Sequence, residues 1–427
     1  MTTQSAFVHS ARGRYRFHSR IAGRSFRLVA TFALLVIGSV AALAQGTTGT
    51  ITKLTIKSEV LGEERTILVR TPNGYDLHQN RYPVLYLTDG DAHIGHTSST
   101  IEFLARNGRM AEMIVVGITN TDRTRDLTPV KSKATNAAGE LQAPTSGGAD
   151  NFLKFIETEL IPEIEKRYRV QPYRVLAGHS LGGLFAVHAM LARPGVFKSY
   201  VAVSPSLQFA NEEAIYRAEK FFKDQKELNA TLVVTLGNEP GAIGESFEGF
   251  KALLEKTKIK GFEWQAFKMN DEDHGSVVMP SHYAGLRKVF DGWQMPRDPM
   301  TGAIAGNLKT VDEHYWKLSQ KFGYKIPVPE NLINQVGYQE LFAGRNQEAI
   351  AIFKANVERY PASANVYDSL AEAYERSGQM DLAGPLYEKA QTLGQQNNDP
   401  NLAIYKANYL RVSEKLKETQ AKKTQEQ

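Results

Sequence analysis

Cysteine is absent from the chain, which excludes disulfides, thiolate metal centres and lipid attachment at a cysteine. Lysine and both acids are missing from residues 1–44, where six arginines (Arg12, Arg14, Arg16, Arg20, Arg24 and Arg27) carry all the formal charge. Of the 51 basic residues, 45 therefore lie beyond residue 44 and face 46 acidic ones. The net charge of +5 belongs to the leading segment, and the near-neutral remainder argues against a nucleic-acid partner. Beyond that segment no apolar run is long enough to span a membrane. The segment itself has an arginine-rich start, an apolar run from Leu28 to Leu43, and Ala42-Leu43-Ala44 as a small-x-small site before Gln45. It reads as a signal peptide over 1–44, cleaved after Ala44, so the expected location is exported, periplasmic or secreted, with no membrane span after cleavage. An uncleaved anchor is the alternative, and it would export the rest of the chain equally.

What is present suffices for about two domains: 427 residues, 42% hydrophobic and 10% aromatic, can fill at least one large core. Over 45–295 short apolar runs alternate with amphipathic stretches, the pattern of an α/β fold with a mostly parallel sheet covered by helices. Strands are expected near Thr52–Lys57, Arg65–Arg70, Pro83–Leu87, Met113–Ile118, Arg174–Ala177, Tyr200–Val203, Thr231–Leu236 and Trp264–Lys268. Helical periodicity appears at Asn151–Arg167, Leu181–Arg193, Glu212–Asp224, Phe247–Lys256 and His282–Asp291. The polar stretch from Thr119 to Asp150 is too long for a simple connection. Residues 296–329, bracketed by prolines, read as a linker with one helix near Val311–Lys321. Beyond it Gly344, Ala349 and Phe353 recur as Gly378, Ala383 and Tyr387, a 34-residue period that matches two tetratricopeptide-like repeats over 330–397. A capping helix from Pro400 to about Lys417 and a frayed tail complete 398–427.

Gly178-His179-Ser180-Leu181-Gly182 follows an apolar strand and opens a helical run. A serine held at such a strand-to-helix turn needs neighbours without side chains two positions away on either side, so both glycines have a steric reason. This is a nucleophile elbow of the α/β-hydrolase kind. A serine hydroxyl needs a base, and along this fold the order is serine, acid, histidine. Four histidines follow Ser180. His188 lies two turns along the same helix, His282 reads as the start of a surface helix, and His314 falls in the linker, which leaves His274 in the loop after the last strand. Glu239, just after the penultimate strand, is the expected orienting acid. Glu245 is its rival, Asp271 and Asp273 are too near His274 in sequence, and a Ser-His dyad is the remaining alternative. Two backbone donors should meet the oxyanion: the N–H of Leu181, and that of Asp91 in the Thr88-Asp89-Gly90-Asp91 turn, unless that turn merely ends a strand.

Several blocks together resemble a known group. Val84-Leu85-Tyr86-Leu87-Thr88-Asp89-Gly90, Arg125-Asp126-Leu127-Thr128-Pro129, the elbow with Gly183-Leu184, Ser204-Pro205-Ser206 and His274-Gly275-Ser276-Val277 occur in order over roughly 51–295. The chain resembles the putative-esterase family of α/β hydrolases, which includes enterochelin and other siderophore esterases. That resemblance implies the triad or dyad above and an oxyanion donor from the Asp-Gly-Asp turn. Gln208 departs from it, since an aromatic residue is common after Ser-Pro-Ser-Leu, and so do the appended repeats.

Arg123 and Arg125 could bind an anionic or catechol-bearing substrate, or brace a loop by pairing with Asp122 or Asp126. His93 and His96, three apart, lack a carboxylate partner in any metal-ligand pattern and read as loop residues. The expected reaction is ester hydrolysis through an acyl-enzyme on Ser180, without metal or organic cofactor, on a small-molecule ester, with the repeats free to contact a protein partner. Acyl transfer by the same triad and an inactive hydrolase-fold scaffold are the alternatives. None of the candidate residues lies in 330–427, so a chain ending near Asp298 is expected to close its sheet alone.

Overall fold

The computed structural model describes residues 49–77 and 79–425; the expected export signal lies outside the described residues. All eight expected strands form, as β1 (Ile51–Ser58), β2 (Glu63–Arg70), β3 (Tyr82–Leu87), β4 (Ile114–Ile118), β5 (Val170–His179), β6 (Ser199–Val203), β7 (Glu227–Leu236) and β8 (Lys260–Lys268). They make one sheet in the order β1-β2-β4-β3-β5-β6-β7-β8. The β1–β2 and β2–β4 pairs are antiparallel and every other pair is parallel. Strand side chains alternate between faces, and here both faces are apolar. Tyr86, Leu176, Ala202 and Val234 enter one core, while Leu85, Val175, Val201 and Val233 enter the other.

The first core is closed by α3 (Ala149–Phe155), α5 (Leu181–Ala192), α6 (Phe209–Asp224) and α7 (Ala242–Lys256). The second is closed by α1 (Gly90–Arg106), α8 (Val278–Val289) and α9 (Leu308–Phe322). Two short helices complete this part, α2 (Arg123–Leu127) and α4 (Ile161–Arg167), the latter joined to α3 by a π turn. Helix α1 was not expected. Its run Gly95-His96-Thr97-Ser98-Ser99-Thr100 has poor helix propensity, but Ile94, Thr97, Ile101 and Leu104 are buried at helical spacing and packing decides the outcome. His93 and His96 therefore stand on a helix rather than in a loop. The 119–150 stretch is also ordered by its own contacts: Gly147 N–H donates to Thr128 Oγ1 at 2.9 Å and Ser132 N–H to Ser146 Oγ at 2.9 Å.

The helix expected in the linker forms, as α9 (Leu308–Phe322), and it is packed on both sides. Helix α9 buries Leu318 and Phe322 in the second core of the sheet, with the Phe322 ring 4.9 Å from Tyr173, 5.1 Å from Phe290 and 5.4 Å from Trp293. Its opposite side sends Val311 into a cluster with Ile333, Val336 and Ile352 of the helical region. The unit built on the sheet thus extends past Asp298, and a cut there would strip an aromatic stack from the core. Phe322→Ala is expected to destabilise the protein by about 3–5 kcal/mol. In thermal unfolding that is a fall on the order of 10 °C; a midpoint moved by less than about 2 °C would show that α9 is dispensable to the core.

The helical region continues as α10 (Glu330–Phe342), α11 (Asn346–Arg359), α12 (Ala364–Arg376), α13 (Met380–Gln396) and α14 (Leu402–Gln425). α10 and α12 begin 34 residues apart, as do α11 and α13. Gly337 has a packing reason, because a Cβ there would meet the Phe353 ring at 2.5 Å. Helix α14 runs beyond Lys417, since its tail, mostly Glu, Gln, Ala and Lys with two threonines, contains neither glycine nor proline to stop it. No helix among the described residues is long and apolar enough to cross a membrane.

Candidate active site

In a sheet of parallel strands the loops at the carboxyl ends share one edge, where ligands bind. Here that edge collects Ser180 after β5, Ser204 after β6, Glu239 after β7, His274 after β8 and Asp91 after β3. Ser180 itself has φ 59° and ψ −115°, a backbone conformation rare outside glycine that points its side chain out of the strand-to-helix turn. The flanking glycines are sterically required. A Cβ on Gly178 would meet Gly182 O at 2.3 Å, and one on Gly182 would meet Thr88 Oγ1 at 2.2 Å. The turn is fastened by Ser180 N–H donating to Val203 O and Ser206 N–H donating to Ser180 O, at 2.9 and 3.1 Å. Ser180 Oγ shares a 3.2 Å hydrogen bond with Ser206 Oγ.

The loops after β7 and β8 lie against one another because Gly237 has no side chain; a Cβ there would sit 2.9 Å from the carbonyls of Glu272 and Asp273. This approach brings His274 Nδ1 to 2.5 Å from Glu239 Oε2. A carboxylate only accepts, so Nδ1 must carry the proton and Nε2 is left as the basic nitrogen. Glu239 is nearly buried and its other oxygen, Oε1, accepts from Ser204 Oγ at 2.6 Å and Gly237 N–H at 3.1 Å. The rival acids are elsewhere: Glu245 is exposed on α7, and Asp273 Oδ1 accepts the N–H groups of Gly275 and Ser276.

The His179 ring lies 4.6 Å from that of His274. Burial, and then the neighbouring His274, lower the His179 pKa to about 4. His179 is therefore neutral near neutral pH and does not oppose a positive charge forming on His274. His282 does not start a surface helix as expected; it is buried inside α8, and its Nδ1 is 2.9 Å from Thr97 Oγ1. His93 Nδ1 and His96 Nε2 are 3.1 Å apart, and burial lowers the pKa of both. No three histidine or carboxylate side chains among the described residues are arranged to hold a metal ion.

Leu181 and Asp91 occupy the first turns of α5 and α1, where backbone N–H groups have no partner within the helix. Because β3 and β5 are parallel neighbours, both helix starts reach the same edge. Arg123 and Arg125 are engaged within the protein. Arg123 Nε donates to Asp89 Oδ1 at 2.6 Å, and its Nη2 donates to Asp89 Oδ2 and to His179 O, each at 3.1 Å. Arg125 donates to Glu63 at 2.6 Å and to Asp126 at 2.7 Å, and buried Arg65 donates to Asp126 at 2.5 Å. Asn120 Nδ2 also donates to Asp89 Oδ1 at 2.6 Å. Sequence reasoning missed Asn120, and it named Asp89, Ser204 and Ser206 only within the Asp-Gly-Asp turn and the Ser-Pro-Ser block, without these roles. A cavity of about 880 Å³ between α9 and α11, lined by Tyr315, Trp316 and Tyr360, holds none of the candidate catalytic residues.

A strained serine at the elbow of an α/β-hydrolase sheet, beside a carboxylate-bound histidine, defines a serine hydrolase. Comparison narrows the class. Residues 58–282 match the family described as "Putative esterase". The siderophore enterobactin esterase of Emericella nidulans is 35% identical over 245 residues, 47% of this chain and 80% of that protein. Ferri-bacillibactin esterase BesA of Bacillus subtilis is 32% identical over 195 residues, 43% of this chain and 66% of that protein. A solved IroE-like serine hydrolase from Shewanella oneidensis superposes with a TM-score of 0.63 at 27% identity, covering 73% of this chain and 100% of that one. The chain belongs to the putative esterase family, as a serine esterase.

Proposed function

We propose that the protein is an exported esterase that opens the ester bonds of a siderophore-type substrate through an acyl-enzyme on Ser180. The observation that carries the mechanism is the 2.5 Å contact between His274 Nδ1 and Glu239, which leaves Nε2 to take a proton. Ser180 Oγ attacks the ester carbonyl as its proton passes to His274 Nε2, and the N–H groups of Leu181 and Asp91 receive the oxyanion. The tetrahedral species collapses, His274 returns the proton to the leaving alkoxide, and a water repeats the sequence to release the acid. For this, Ser180 Oγ must give up its bond to Ser206 Oγ and turn toward His274. Arg123 and Arg125 brace the turn and the loop through their bonds to Asp89, His179 O, Glu63 and Asp126.

The siderophore reading rests on relatives that bear that name, the Emericella nidulans enzyme among them, and the exported location on the leading 44 residues. We assign the helix pairs of 330–397 as tetratricopeptide-like repeats capped by α14, open to a protein partner. Protein recovered from the exported fraction should begin at Gln45 and hydrolyse siderophore lactones, iron-loaded or free, with a kcat/KM at least tenfold above that for short-chain aryl esters. Efficient turnover of the aryl esters with none of the lactones would reject the substrate class and leave the esterase chemistry intact.

A further inference from the structure

Strand β6 lies between β5 and β7, so the chain leaving it at Val203 runs between the nucleophile and the acid. Its first residue, Ser204, is fully buried and holds φ at 38°, in the left-handed region that a residue with a Cβ avoids. Such strain persists where the surroundings over-determine it, and it marks a backbone whose aim matters. The surroundings here are explicit. Ser204 N–H donates to Thr235 O at 2.8 Å, and Gly237 N–H approaches Ser204 Oγ at 3.3 Å. With its own proton Ser204 Oγ donates to Glu239 Oε1 at 2.6 Å, the oxygen opposite the one that meets His274. Two residues on, Ser206 is bonded to Ser180 through both backbone and hydroxyl, so the far end of the Ser204-Pro205-Ser206 turn is fixed as well.

Resting on the assignment of Glu239 as the acid, we propose that Ser204 is a positioning residue. Its left-handed backbone aims the hydroxyl at Glu239 Oε1, and that bond turns the carboxylate so that Oε2 faces His274 Nδ1. Without the hydroxyl, Gly237 N–H is the one remaining donor to Oε1, and the carboxylate is freer to rotate away from the imidazole. Ser204 touches no reacting atom; its effect passes through Glu239.

The test is a double-mutant cycle with Glu239→Gln, measured on a soluble ester with the full mature protein. Ser204→Ala is expected to lower kcat about tenfold, the worth of a hydrogen bond to a charged group, with KM changed less than twofold. In the Glu239→Gln background the same substitution should lower kcat by less than twofold. Ser204→Gly keeps the probe of the hydroxyl valid should the alanine variant fold poorly, because glycine accepts φ of 38° without strain. It should melt above Ser204→Ala and yet lose the same activity. An equal loss in both backgrounds, or a glycine variant with wild-type kcat, overturns the proposal while leaving Glu239 as the acid. A Glu239→Gln variant with less than a threefold loss removes the acid assignment itself, and with it this role for Ser204.

Discussion

Ser180→Ala is expected to reduce ester turnover to on the order of 10⁻³ of wild type or less, with the fold retained. In the proposed mechanism every covalent step passes through Ser180 Oγ, and among the described residues no other hydroxyl stands at an elbow between two helix starts. Ser206 is the nearest substitute, 3.2 Å away. It follows a proline rather than opening a helix, so it has no oxyanion donor of the Leu181 kind beside it. Residual activity should come from the two backbone donors and from binding alone. The fold should survive because Ser180 is held by its backbone bonds to Val203 and Ser206, which alanine keeps. Steady-state kinetics and a melting curve on the purified variant check both halves; turnover above about a tenth of wild type in a folded variant would assign the attack to another group.

The second large effect is at the acid. Glu239→Gln is expected to lower kcat by a factor on the order of 10²–10⁴ with KM nearly unchanged, about 3–5 kcal/mol of transition-state stabilisation. The surroundings decide which way the amide will face. Ser204 Oγ and Gly237 N–H both donate toward Oε1, so the amide carbonyl must occupy that place. The amide nitrogen then faces His274 Nδ1 and donates to it, which moves the imidazole proton to Nε2, the wrong side for a base. His179 cannot substitute, because burial keeps it neutral to about pH 4 and its ring packs beside His274 rather than between His274 and an acid. A pH profile distinguishes this account from general damage. The variant should remain impaired across the plateau, since the proton is misplaced at every pH where the imidazole is neutral. Recovery of wild-type kcat at higher pH would instead indicate a simple change in basicity.

Those parts of the site that rest on local sterics or on strand order were legible in the sequence. Ser180 announces itself within five residues, because Gly178 and Gly182 are demanded by contacts that the turn itself creates. His274 and Glu239 follow from where parallel strands deliver their loops. Helix α1 was hidden because threonine, serine and glycine favour other local structures, and only burial against β4 and α8 makes Ile94, Ile101 and Leu104 a helical face. Helix α9 read as a linker because its two apolar sides serve two different cores, a division that appears only when Phe322 meets Tyr173 and Val311 meets Ile333. The burial of His282 and the left-handed turn at Ser204 are likewise tertiary. Each is set by residues far away in sequence, Thr97 for the first and Thr235 and Glu239 for the second.

The central claim is that this esterase works through a covalent intermediate on Ser180. The most direct measurement is treatment of the mature protein with a fluorophosphonate ester, followed by mass spectrometry of its peptides. One phosphonyl group per chain, on the peptide carrying Gly178-His179-Ser180 and absent from Ser180→Ala, is the expected result. An adduct on a different residue, or full ester hydrolysis by protein that the reagent neither labels nor inhibits, would contradict the account.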